Sequence, residues 1–297
     1  MSGRITRCTV GVAVCSDTTS YLPRELVRER QIHEVSLYVS LNGRQQRESD
    51  ILEDTDRFYD ELRATTEAAT TSQPAVGDFV EAWGPLLDAG DDIASVHISA
   101  SISGTYGSAI AARDLLVSDG IELGRIEVVD SRRACGGLGI MLLAAAAAAR
   151  VGGDVRAVAE RIAAARDGLQ MWFAVDTLEY LRRGGRIGGA QAWLGSALKI
   201  KPILTLDGEI TPIERVRTSQ RAFERMTEFA DELHATGRDA WVVQHIQAPG
   251  EADRLVEYGR SVFGTDPLFV SEVGPVIGAH VGPGLLGVGG VPADLVR

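Results

Sequence analysis

The sequence predicts an α/β protein of two domains: a mainly parallel sheet with flanking helices over residues 1–167, then a mixed α/β domain over 168–297. Three observations predict it. Apolar runs without polar alternation recur between helical patterns in the first half, as strands buried on both faces require. That rhythm breaks near Gly168. Beyond it, Asp207-Gly208 stands between ILTL and EITPI, a dipeptide that favours the tight turn of an antiparallel hairpin.

In chain order, the first half places strands at 9–14, 34–39, 93–98 and 126–129, and helices at 23–31, 54–65, 77–88, 104–117, 136–150 and 154–166. Strands alternating with helices imply a parallel sheet covered on both faces. In the second half, runs at 171–175, 202–206, 241–246 and 268–272 mix with helices at 218–234 and 250–263. The glycine-rich stretch 274–290 reads as an ordered loop, because Val276, Ile277, Val281, Leu285 and Leu286 interrupt it at close spacing.

Of the 297 residues, 45% are hydrophobic, enough for two cores. A formal net charge of −11 sets long-range electrostatics against nucleic acid. Local basic clusters do occur, at Arg182, Arg183 and Arg186 and again at Arg215, Arg217, Arg221 and Arg225. Cys8, Cys15 and Cys135 form no CxxC and leave an odd count, which argues for a reducing, cytoplasmic compartment and against a zinc site. The longest apolar run, 138–149, falls short of the ~20 residues that span a bilayer. Arg4 and Arg7 precede a short apolar run that meets Asp17 directly, which reads as a buried first strand and not as a signal peptide.

Ligands of open α/β sheets gather at the carboxyl ends of the strands. Three polar loops fit that place: 16–20, 99–103 and 130–133. The second is the most informative. In VHISASISGTYGS (96–108) an apolar strand meets a hydroxyl-rich turn and then a small-residue helix. The first amides of a helix lack intrahelical partners and carry partial positive charge, so Gly104 and its neighbours form a ready anion site. Ser99, Ser101, Ser103 and Thr105 add neutral donors, with no Lys or Arg in the turn. A second hydroxyl-rich turn, Thr71-Ser72-Gln73-Pro74, leads into the helix at 77–88, and Pro74 holds Gln73 extended. His280 sits in GPVIGAHVGPG among glycines that admit close backbone approach.

Taken together, SDTTSYLP (16–23), TSQP (71–74), ISGTY (102–106) and VDSRRACGGLG (129–139) resemble the DegV family. The likeness continues through LEYLRRGGRIGG (178–189), LKIKPIL (198–204), DGEITPIERVRTSQRA (207–222) and GPVIGAHVGPG (274–284), in order and over nearly the whole chain. It implies a two-domain DegV-like fold with a ligand tunnel between the domains. It further implies a bacterial protein that binds a long-chain fatty acid and takes no other cofactor. In that family the protein serves as the acyl-carrier subunit of a fatty acid kinase, offering the bound carboxylate to a separate ATP-binding kinase subunit, and transient membrane contact suits such a carrier.

Carried over by position, the resemblance makes Thr71, Ser103 and Gly104 carboxylate-binding, with His280 a third polar contact, and makes Arg186, Arg215 and Arg217 partner-facing. It assigns no catalytic residue and no metal. The sequence departs from the family pattern at Ser20, where Asp is usual, and at Ala75, where Ser is usual; Ser20 weakens any ligand role for the first loop.

The chemistry suits such a ligand independently. A small anion on a long apolar tail needs a few convergent donors at the mouth of an apolar cavity, and each buried methylene contributes roughly 0.8 kcal/mol. Neutral donors leave a carboxylate nucleophilic where a tight Arg pair would dull it. Two other readings use the same residues: a Ser-dependent acyl hydrolase with Ser103, His280 and Asp17 or Asp130, and a sugar-phosphate binder using the 98–106 loop. The first lacks a G-x-S-x-G elbow and the second lacks an accompanying base. Neither GxxxxGK[ST] nor a GxGxxG after the first strand is present, so ATP is expected on a partner.

Overall fold

The computed structural model describes residues 11–65, 67–194 and 200–297. Cys8, Arg4, Arg7 and the start of the first predicted strand lie outside the described residues, as do Leu198 and Lys199 of LKIKPIL.

The first half builds a four-stranded, all-parallel sheet from β1 (Val12–Asp17), β2 (Ile32–Val35), β6 (Asp92–His97) and β7 (Ile126–Asp130), in the order β2-β1-β6-β7. The predicted strand 34–39 is two strands in two sheets. The chain leaves β2 at Ser36 and enters β3 (Tyr38–Leu41), which pairs antiparallel with β4 (Arg44–Arg47) and β5 (Thr70–Ser72). The run is apolar across the break because Val35 and Leu37 are both buried, in different surroundings. Asn42 and Gly43, both at positive φ, make the β3–β4 turn, and the Asn-Gly dipeptide was its sequence signal. TSQP is corrected likewise: its first two residues belong to β5, and only Pro74 onward leads into α3 (Val76–Asp88).

The second half forms a mixed six-stranded sheet in the order β10-β9-β8-β13-β11-β12, with β8 (Gln170–Ala174), β9 (Lys201–Asp207), β10 (Glu209–Val216), β11 (Ala240–His245), β12 (Phe269–Glu272) and β13 (Leu286–Val291). The Asp207-Gly208 hairpin forms as read, with Gly208 at φ 73°. The stretch 274–290 is not a loop. It supplies helix α10 (Pro275–Val281) and the inner strand β13, paired antiparallel to β8 and β11. Glycine hid both elements, because here it serves close packing: a Cβ on Gly289 would lie 2.7 Å from the Met171 side chain.

Helix α5 (Cys135–Arg150) holds the sheets together, touching β1 and β6 on one side and β11 and β13 on the other. It is apolar around its whole circumference, as a helix enclosed on all sides must be. Its small residues set the spacing: a Cβ on Gly136 would lie 2.9 Å from Met171, and one on Gly139 would lie 2.8 Å from Phe269. Helix α4 (Thr105–Ser118) packs against α3 and the parallel sheet, and α2 (Thr55–Ala64) against α10.

Candidate functional site

Thr71, Ser103 and His280 line one cavity of about 1030 Å³, counting the part open at its mouth, whose wall comes from both halves of the chain. Leu37, Ile98, Phe173, Leu206, Val276 and Leu285 make much of that wall apolar. Exposed Ser72 and Gln73 mark where it meets solvent. Among the described residues no group of three or more His, Cys, Asp or Glu is placed to hold a metal ion.

Each of the three residues arrives on a different element. Thr71 sits on β5, its backbone registered against Val39. Ser103 ends the turn after β6, where its Oγ lies 2.9 Å from Oγ1 of buried Thr105. The two segments meet through Gln73, which packs onto Gly104; a Cβ there would lie 2.7 Å from the Gln73 amide nitrogen. Gly104 does not itself line the cavity; it makes room for a residue that does.

His280 reaches the cavity from α10, which three tyrosines hold in place. Gly274, Gly278 and Gly282 recur every four residues, and at each a Cβ would run into a ring, of Tyr21, Tyr59 and Tyr180 respectively. The hydroxyl of Tyr59 also donates to the carbonyls of Val273 at 2.6 Å and Gly274 at 3.1 Å. So placed, His280 Nε2 lies 2.7 Å from Thr71 Oγ1. Burial, and after it the charge of Arg186, push the imidazole down to about 4, so the ring is neutral at pH 7.

Nδ1 of His280 is buried with no hydrogen-bond partner among the described residues, against Gly184, where a Cβ would collide with it. A bare lone pair costs less there than an orphaned N–H, so the proton belongs on Nε2, donated to Thr71 Oγ1. That leaves the Thr71 hydroxyl proton free to point into the cavity.

Several expectations need correcting. Of the four hydroxyls in the 99–105 turn, only Ser103 lines the cavity: Ser99 and Ser101 bond each other at 2.9 Å, and Ser99 donates to the Gly208 carbonyl. The 16–20 loop contributes nothing to the lining and is wholly buried. Arg186 is no open surface residue; it is half-buried, lines the cavity beside His280, and donates to the carbonyls of Ile102 at 3.3 Å and Gly184 at 2.6 Å. Arg215 and Arg217 are exposed, with Arg215 over the Trp193 ring at 5.2 Å. The hydrolase arrangement is not assembled, since His280 pairs with Thr71, Asp17 with His97, and Asp130 with the amides of Ala100 and Arg132.

The 130–133 loop, expected at the ligand end of the sheet, reaches the cavity through Arg133. Its guanidinium donates to the Leu206 carbonyl at 2.6 Å and pairs with Asp207 at 2.7 Å, fastening the hairpin of one sheet to the strand end of another.

Sheet order, hydroxyl-lined mouth and enclosed apolar wall together define a three-sheet α/β protein with an internal, largely apolar cavity. The chain belongs to the DegV family: the family model, described as an uncharacterised protein of that family, matches residues 11–293. A DegV domain-containing protein of Streptomyces coelicolor is 41% identical, the match covering 93% of this chain and 97% of that one. The crystal structure of DegV from Bacillus subtilis, described as a fatty acid binding protein, is 34% identical with a TM-score of 0.84 over 94% of this chain and 98% of its own. A DegV family protein from Thermus thermophilus, described by its fatty acid binding, is 31% identical with a TM-score of 0.82, covering 95% and 100%.

Proposed function

We propose that this protein binds a long-chain fatty acid, its carboxylate at Thr71 and Ser103 and its tail in the apolar cavity, and offers that carboxylate to a separate ATP-using kinase subunit. The observation that carries the reading is the convergence of Thr71 and Ser103, 32 positions apart in sequence, on one apolar cavity. The descriptions of the Bacillus and Thermus relatives as fatty acid binders support the ligand class.

In this reading Thr71 and Ser103 each donate a hydroxyl proton to the carboxylate. His280 acts one step back: by donating Nε2–H to Thr71 Oγ1 it turns the threonine proton toward the ligand. Arg186 supplies positive charge beside the head group while its Nε and Nη1 are held by carbonyls. The acyl chain provides most of the affinity and the head-group contacts fix its direction. Exposed Arg215 and Arg217 suit a partner surface beside the Asp207-Gly208 hairpin. No helix among the described residues is long and apolar enough to cross a membrane, and Cys15 and Cys135 are free thiols.

Native mass spectrometry of the purified protein tests the ligand. The expected result is a mass increment of one fatty acid, lost on delipidation and restored by added palmitate or oleate. Protein that takes up hexose phosphate and neither acid would overturn the reading.

A further inference from the structure

Glu48 is fully buried with no cationic partner among the described residues, and both of its carboxylate oxygens are used inside the protein. Oε1 accepts from Tyr21 Oη and from the Val276 amide, each at 2.8 Å, and Oε2 accepts from Thr18 Oγ1 at 2.5 Å. Tyr21 Oη in turn accepts from the Ile277 amide at 3.2 Å. Val276 and Ile277 lie in the first turn of α10, whose N-cap is Gly274 and has no side chain to offer. A carboxylate and a phenol from the far end of the sequence therefore do the work of a cap. Tyr21 reaches that place with φ at 50°, a conformation that non-glycine residues seldom adopt, and its ring fills the space where a Cβ on Gly274 would be, 2.5 Å away. His280 follows Val276 by four residues, one turn and about 6 Å along the helix.

We propose that Glu48, acting with Tyr21, is a positioning residue for ligand binding: it fixes the first turn of α10 and so sets where His280 meets Thr71. The same 17–21 segment governs the other two site elements. Asp17 Oδ2 accepts from the Ile98 amide at 3.0 Å, at the head of the turn that carries Ser103, and Thr18 Oγ1 accepts from the Leu37 amide at 3.3 Å, just before the strand that pairs with Thr71. Glu48 and the buried loop thus form one internal frame behind the cavity, touching no ligand. Glutamine fits this role, since its amide oxygen accepts from Tyr21 and Val276 while its NH₂ donates to Thr18 Oγ1; alanine does not.

The inference rests on the fatty acid reading for its affinity measurement, so a readout that needs no ligand accompanies it. In full-length, delipidated protein, the imidazole nitrogen resonances of His280 are followed by NMR and palmitate affinity by calorimetry, in wild type, Glu48→Gln, Glu48→Ala and Tyr21→Phe. Expected are a displaced His280 signal and at least tenfold weaker palmitate binding in Glu48→Ala. Tyr21→Phe shows the same displacement with a three- to tenfold loss, and Glu48→Gln stays within threefold of wild type with the His280 signal in place. Should Glu48→Ala not fold, Tyr21→Phe carries the test by itself. An unmoved His280 signal in Tyr21→Phe, or a glutamine variant as impaired as alanine, overturns the proposal. Absence of palmitate binding by wild type overturns the fatty acid reading, and the His280 signals still decide the role of Glu48.

Discussion

Two loops at the carboxyl ends of neighbouring parallel strands have nearly the same composition and opposite fates. Asp17 to Ser20 after β1 and Ser99 to Ser103 after β6 are both short and rich in hydroxyls. The first is sealed: Asp17 accepts from the Thr19 amide and hydroxyl, the Ile98 amide and His97, and His97 Nε2 lies 2.7 Å from Ser95 Oγ, all fully buried. The second leaves Ser103 at the cavity. A hydroxyl binds ligand only where the fold has not already committed its proton. Asp17, His97 and Ser95 accordingly form a relay of triad-like chemistry that no substrate reaches, because the same burial that aligns it closes it.

The largest expected effect comes from breaking the sealed loop. Asp17→Ala strands His97 and the amides of Thr19 and Ile98 away from water and is expected to cost about 3–5 kcal/mol in urea unfolding. A loss below about 1 kcal/mol would mean that the loop is no frame at all.

Next comes a pH effect with opposing signs. Burial raises the Glu48 carboxyl to about 7, so between pH 4.5 and 7 the native state holds a proton that the unfolded chain has released, and stability declines as pH rises. His280, lowered to about 4 from 6.5, works in reverse: the unfolded chain binds the extra proton, and stability declines as pH falls through that window. Relative to wild type, Glu48→Gln is therefore expected to gain on the order of 3 kcal/mol between pH 4.5 and 7 in parallel denaturation curves. A difference curve that stays flat would show Glu48 ionising as an ordinary exposed carboxylate.

Opening the comparison from the other side, Thr71→Ala with Ser103→Ala removes two donors at a solvent-connected mouth. Palmitate affinity is expected to fall about 10- to 100-fold by calorimetry, with unfolding changed by less than about 1 kcal/mol. The smallest effect belongs to Ser101→Ala. Its hydroxyl is exposed and bonded only to Ser99 among the described residues, so both stability and affinity are expected within about 0.5 kcal/mol of wild type. A large loss of affinity there would return the whole turn to the ligand.

What the sequence determined by itself was local and periodic. Buried parallel strands, amphipathic helices and the Asp207-Gly208 turn each announce themselves within a few residues, because side-chain period and turn conformation are short-range physics. Family motifs and the chemistry of hydroxyls at helix starts singled out Thr71, Ser103 and His280, and the three line one cavity. Tertiary structure alone decided which polar groups remained free. That Ser99 serves the hairpin, that Arg186 turns inward, that His280 acts on Thr71, and that Glu48 caps a helix 228 positions away all depend on partners brought together across the fold. Gly274, Gly278, Gly282 and Gly289 show the same limit: in sequence they read as freedom, and in the fold they are the spaces that tyrosine rings and the Met171 side chain occupy. A residue's chemistry is written in its type, whereas its availability is set by what packs against it.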